Sequence, residues 1–175
     1  MPTIEFEKVK LLATIATYSK KTYELCLVKW NNGSIKYDLR KWGDDGKTPY
    51  RGITFTETEL RNVYQLLKDY KFTQPEQYER KYQKGDVAAY IYEVLGEFKS
   101  AGKMKGYVTY TGWSGSPKID IRHWTDDFTT CSKGITLSKV EMNNLITYLK
   151  SEFELNTEEM KEDNEMNDVL DSLFL

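Results

Sequence analysis

Ile119-Asp120-Ile121-Arg122-His123-Trp124, followed by Lys133-Gly134-Ile135-Thr136-Leu137, decides the fold, because the chain writes it once before. The earlier version is Tyr37-Asp38-Leu39-Arg40-Lys41-Trp42 with Arg51-Gly52-Ile53-Thr54-Phe55. Residues 33–69 match 115–151 without a gap, at a constant offset of 82. Ser34/Ser116, Lys36/Lys118, Asp44/Asp126, Asp45/Asp127, Glu59/Glu141, Asn62/Asn144 and Leu67/Leu149 are further identical pairs. An ungapped internal match of this length means two copies of one structural unit.

Each copy changes period in the same order. Ile35, Tyr37 and Leu39 alternate with Lys36, Asp38, Arg40 and Trp42, and Ile119 and Ile121 alternate with Lys118, Asp120, Arg122 and Trp124. This period of two predicts a strand with one apolar face and one mixed face. Turns around Asp44-Asp45 and Asp126-Asp127 follow, then short strands over 53–55 and 135–137. Thr56-Glu57-Thr58-Glu59 and Ser138-Lys139-Val140-Glu141 are capping boxes, where hydroxyl and carboxylate each satisfy a free backbone N–H of a first helical turn. Leu60, Val63, Leu67 and Tyr70 then share one helical face, as do Met142, Leu145, Ile146, Leu149 and Phe153. Two upstream strands are predicted in each copy, over 5–18 and 22–30, and over 87–100 and 106–113.

The predicted fold class is therefore α+β, with two tandem units, each a curved four-stranded antiparallel sheet followed by one helix. The expected boundaries are 1–72 for the first unit, 73–85 for a linker, 86–154 for the second unit and 155–175 for an acidic C-terminal tail. A unit of about 70 residues buries a marginal core alone, so the two are expected to dock as an intramolecular pseudo-dimer. Cys26 and Cys131 are not at equivalent positions and show no metal-ligand spacing, which predicts free thiols in a reducing compartment. With no membrane-length apolar run and no signal-peptide pattern, the expected location is cytoplasmic, the bacterial host cytoplasm if the chain is phage-encoded.

Charge divides along the chain. Residues 156–175 carry about −6 and the body about +4, within a net charge of −2. A basic body with an acidic tail predicts a polyanionic ligand for the one and a separate task for the other.

The element order, with D-I-R-x-W in the third strand and K-G-I-T-L in the fourth, resembles the single-stranded DNA-binding domain of the positive cofactor 4 family of transcriptional coactivators and its bacterial and phage relatives. The resemblance covers both repeats. It implies two sheets presenting a continuous surface to single strands with the helices at the centre, the second unit standing where that family has a second chain. The two halves need not bind equally, since Lys41, Lys47 and Tyr50 are replaced by His123, Thr129 and Ser132.

Sequence-tolerant binding of single strands needs cations along a backbone path and aromatic faces for bases. Lys36, Arg40 and Trp42 share one strand face, as do Lys118, Arg122 and Trp124, while Trp30 and Trp113 end the neighbouring strands. With Arg51 and Lys133 as phosphate contacts, these ten residues are the candidate DNA-binding set. Each tryptophan can also be read as core. For Trp42 and Trp124, on the Lys/Arg parity, stacking is the favoured reading; for Trp30 and Trp113 both readings stand. Asp38 and Asp120 are expected to position Arg40 and Arg122, and Gly52 and Gly134 to serve backbone geometry.

The tail ends Asp168-Val169-Leu170-Asp171-Ser172-Leu173-Phe174-Leu175. It is similar in composition to the acidic, aromatic-ended tails of single-strand-binding proteins, which implies partner binding through Asp168, Asp171 and Phe174. A rival reading has Met166, Val169, Leu170 and Leu173 as a helical stripe docked on the body. The acidic pairs read as turn chemistry rather than a metal-dependent nuclease, and no glycine-rich phosphate loop is present. No catalytic role, cofactor or metal is expected. The expected function is sequence-tolerant single-stranded DNA binding in replication or recombination, RNA being a possible second ligand, with replication and recombination proteins recruited by the tail and further self-association open. The alternative is a transcriptional coactivator or regulator acting on melted promoter DNA.

Overall fold

The computed structural model describes residues 3–155 and, beyond them, Met166, Val169 and Leu173. Over residues 3–155 its architecture is α+β: two antiparallel sheets, of four and five strands, and two α-helices. The first sheet runs β1 (Phe6–Thr17), β2 (Lys21–Trp30), β3 (Ile35–Gly43) and β4 (Pro49–Phe55), in that spatial order. Helix α1 (Glu57–Leu67) follows. The second sheet runs β5 (Arg80–Lys84), β6 (Val87–Lys99), β7 (Lys105–Gly112), β8 (Lys118–Trp124) and β9 (Ile135–Leu137), before α2 (Lys139–Lys150) and a π-helical turn, Ser151–Leu155. Among the described residues no helix is long and apolar enough to cross a membrane.

The stretch expected as linker is corrected here. Residues 80–84 pair with β6, from Arg80 opposite Ile91 to Lys84 opposite Val87, giving the second sheet its fifth strand. Only Tyr82 of these five residues is buried, so an apolar alternation was too short to show.

Both helices start where the capping boxes place them. Thr56 and Ser138 accept from the N–H groups of Glu59 and Glu141, whose carboxylates accept in return from the cap N–H groups. Leu60, Val63, Tyr64 and Leu67 of α1 and Met142, Leu145 and Leu149 of α2 are buried. They meet the inner faces of both sheets in one core, which holds Leu25, Leu39 and Phe55 from the first and Val108, Ile121 and Leu137 from the second. Tyr70 lies beyond the end of α1 and packs on that core edge-on to Phe72.

The first strands of the two sheets bend alike. β1 carries register shifts at Lys8/Lys10, Leu11/Ala13 and Thr14/Ala16, and β6 carries them at Ile91/Glu93, Val94/Gly96 and Glu97/Lys99. Their offset is one residue larger than in the ungapped match, because the connection from Trp113 to Asp120 is one residue shorter than that from Trp30 to Asp38. With that correction Trp30 and Trp113 are counterparts. Such bulges increase local twist and curve a sheet.

Helix contacts cross between the units. The Asn62 amide of α1 donates to the Phe98 carbonyl of β6 at 3.2 Å, and the Asn144 amide of α2 donates to the Ile15 carbonyl of β1 at 2.8 Å. Ile15 and Phe98 are counterparts under the corrected offset. Tyr18 donates to Glu141, and Tyr23 to the Thr136 carbonyl at 3.1 Å, across the same boundary.

Candidate functional site

The face of β3 and β8 that carries Asp, Arg and Trp is largely closed. Trp42 and Trp124 are both 0% exposed, so the stacking role expected for their rings is corrected: no base can reach either. Each anchors a small second core on the sheet's outer face. Trp42 packs with Cys26 and Val28 and is covered by Phe6 and by the Lys8 ammonium, 4.5 Å from its ring centre. Trp124 is covered by Tyr82 of β5, edge-on at 5.3 Å, and by Phe128 at 5.4 Å.

Asp, Arg and the upstream Trp form one assembly in each unit. The Arg40 guanidinium donates to both Asp38 oxygens, at 2.8 and 3.0 Å, and to the Tyr50 carbonyl at 2.7 Å. Trp30 Nε1 donates to Asp38 at 3.3 Å while the guanidinium lies 4.8 Å from the Trp30 ring centre. In the second unit Arg122 donates to both Asp120 oxygens at 2.7 Å, and to the Ser132 carbonyl at 3.3 Å. Trp113 Nε1 reaches Asp120 at 2.8 Å, with Arg122 at 4.2 Å from its ring. Burial pushes the Asp38 and Asp120 carboxyls above their ordinary value, against the arginine and tryptophan donors that pull them down. The fork supplies the geometry that makes a buried pair tolerable.

This assembly accounts for the repeated glycines. A Cβ at Gly52 would lie 2.5 Å from Arg40 Cβ, and one at Gly134 2.3 Å from Arg122 Cβ. The repeated Asp, Arg, Trp and Gly are thus one packing solution used twice, and Arg40 and Arg122 are committed to carboxylates rather than free for phosphate.

Openings remain beside each assembly. The first cleft, about 520 Å³, is lined by Ile4, Trp30, Lys36, Arg40 and Thr54. The second, about 440 Å³, is lined by the counterparts Val87, Trp113, Arg122 and Thr136. Lys133, Lys84 of β5 and Arg51 of the first unit complete its basic wall, beside Tyr82 and Cys131. A smaller adjoining cleft shares Arg51 and Thr136 and extends to Lys41 and Tyr23. Arg51, Lys84, Lys133 and Lys36 are exposed and enter none of the ion pairs among the described residues.

Of the ten expected DNA-binding residues, the structure gathers Trp30, Lys36 and Arg40 at one cleft and Arg51, Trp113, Arg122 and Lys133 at the other. Lys118 is exposed but lines neither, and Trp42 and Trp124 are interior. Lys84 and Tyr82 were not singled out from sequence, while Lys41 stood there as a difference between the repeats and Thr54 and Thr136 as an identity, none of the three as a site residue. Asp168, Asp171 and Phe174 lie outside the described residues. Met166, Val169 and Leu173, from the rival stripe, are 63%, 58% and 71% exposed.

The second aspartate of each acidic pair acts as a turn clamp. Asp45 accepts from the N–H groups of Lys47 and Thr48 and from the Thr48 hydroxyl, which together hold its carboxyl down to about 2. Asp127 is lowered by the hydroxyls of Thr129 and Thr125 and the Thr129 N–H. Neither the family models nor the curated proteins compared with this chain match it.

Proposed function

We propose that the protein binds single-stranded DNA without reading sequence, through the two Trp-Arg-Thr clefts and the basic path beside them. One observation carries this reading: a matching cleft opens in both units, and cations without an ion-pair partner among the described residues line the second one, where the units meet. Arg51 lines both the second cleft and its smaller neighbour, so Lys84, Lys133, Arg51 and Lys41 border two adjoining depressions that run from β5 to the first sheet. Cations along a path, beside half-buried Trp30 and Trp113, are what a sequence-tolerant single-strand surface requires. The rings contribute as cleft walls, since each already carries an arginine against it.

The reading includes an intramolecular pseudo-dimer of the positive cofactor 4 type. The reciprocal bonds of Asn62 and Asn144 support it, because a two-fold interface pairs residue i with j and j with i. A role in replication or recombination, with the acidic tail recruiting partners, completes the proposal.

A gel shift comparing oligo-dT with a duplex of equal length tests it. Retention of the single strand at concentrations that leave the duplex free is the expected result. Equal retention of both, or of neither, overturns the reading.

A further inference from the structure

We propose that the two clefts are unequal, and that the second, between β5 and Arg51, is the anchor that holds phosphodiesters first. This inference rests on the single-strand reading and asks which part of the surface carries it.

The approximate two-fold relation between the units is broken at this cleft twice, and both breaks add positive charge. The first is β5. It lies along the opening strand of the second sheet, whereas β1 pairs with β2 alone among the described residues. Its Tyr82 covers Trp124, a task that Phe6 performs for Trp42 from within β1. The covering strand therefore brings Lys84 to the cleft edge, and among the described residues of the first unit no strand corresponds to it. The second break is Arg51. It belongs to the first unit yet lines the second cleft, while its counterpart Lys133 lines its own unit's cleft and not the first.

The outcome is a difference in available charge. Among the described residues Lys36 and Arg40 are the cations lining the first cleft, and Arg40 gives its fork to Asp38. The second cleft has Arg51, Lys84 and Lys133 in addition to its committed Arg122. Each phosphate neutralised on a single strand releases counterions and contributes about −0.7 to the log–log salt slope. Three cations converging on one opening place the steepest part of that dependence in the second cleft. From there the adjoining depression leads the strand toward Lys41.

Fluorescence anisotropy of a short labelled oligo-dT against salt provides the test, with thermal midpoints taken alongside. The full chain is compared with Lys84→Ala and Lys133→Ala singly, with Lys36→Ala and with Lys84→Arg/Lys133→Arg. Each second-cleft alanine variant should weaken binding roughly tenfold, the scale of one charged hydrogen bond. Each should also make the salt slope shallower by about 0.7, for one lost contact. Lys36→Ala should lose clearly less on both measures, and the arginine pair should bind like wild type. An equal or greater loss from Lys36→Ala overturns the inequality and leaves single-strand binding standing. Absence of binding by the wild-type chain overturns both.

Discussion

The two units bury the same tryptophan with different side chains. In the first, Phe6 and Lys8 of β1 cover Trp42, and Lys8 is held by Glu24 at 2.9 Å and by the Gly46 carbonyl at 3.2 Å. In the second, the counterparts of Phe6 and Lys8 are Ala89 and Ile91, and the cover comes from Tyr82 and Phe128. Phe128 stands where the first unit has Gly46, and both have positive φ, 58° and 68°. A left-handed conformation costs a phenylalanine about 1–2 kcal/mol that glycine escapes. The second unit accepts that cost to close its outer core. What is shared is the need to seal the Trp face; the means are local, and they leave different charges at each cleft.

The largest expected effect concerns the sealed rings. Trp42→Ala and Trp124→Ala should each destabilise the fold by about 3–5 kcal/mol, measured by denaturant titration, through the cavity left behind. A Trp42→Ala variant of unchanged stability that no longer bound oligo-dT would break the comparison, since it would make that ring a contact and not a core.

Next come the buried carboxylates. Asp120→Asn leaves Arg122, whose side chain is 6% exposed, without its partner charge, and should cost about 3–5 kcal/mol. Asp38→Asn should cost less, because the Arg40 side chain keeps 15% exposure and can turn toward water. Reversal of that order in thermal or denaturant melts would contradict the deeper burial of Arg122 as the cause.

The smallest effect lies in the turns. Asp45 has a folded-state pKa lowered from 3.8 to about 2, and Asp127 is lowered as well. A depressed carboxyl contributes stability that is present above the unfolded value and lost as pH falls through the folded one. Thermal midpoints of wild type should therefore drop between pH 4 and 2 by more than those of Asp45→Asn or Asp127→Asn. Parallel curves would remove the clamp role from these aspartates.

Much of this was legible beforehand. The strands over 35–42 and 118–124, the capped helices and the doubling itself followed from period, caps and the ungapped match. The core side of each strand did too, since Tyr37, Leu39, Ile119 and Ile121 face the helices as their alternation requires. The opposite face was misread for a physical reason. Lys/Arg parity suggests solvent, but Asp38 and Asp120 take their arginines out of circulation, and the neutralised pairs sit beside buried tryptophans. The equivalence of Trp30 and Trp113 was hidden by one deleted residue in a turn. β5 was hidden because an edge strand with one inward side chain leaves almost no pattern. The Asp, Arg, Trp and Gly of the resemblance prove mostly architectural, so the candidate site rests on its basic positions Arg51 and Lys133 together with Lys84.

The salt dependence of oligo-dT binding by the full chain tests the central claim most directly. Contacts to about three to five phosphates predict a log–log slope of roughly −2 to −4. A slope near zero would contradict the account, because a surface built on Arg51, Lys84 and Lys133 cannot hold a polyanion without releasing its counterions.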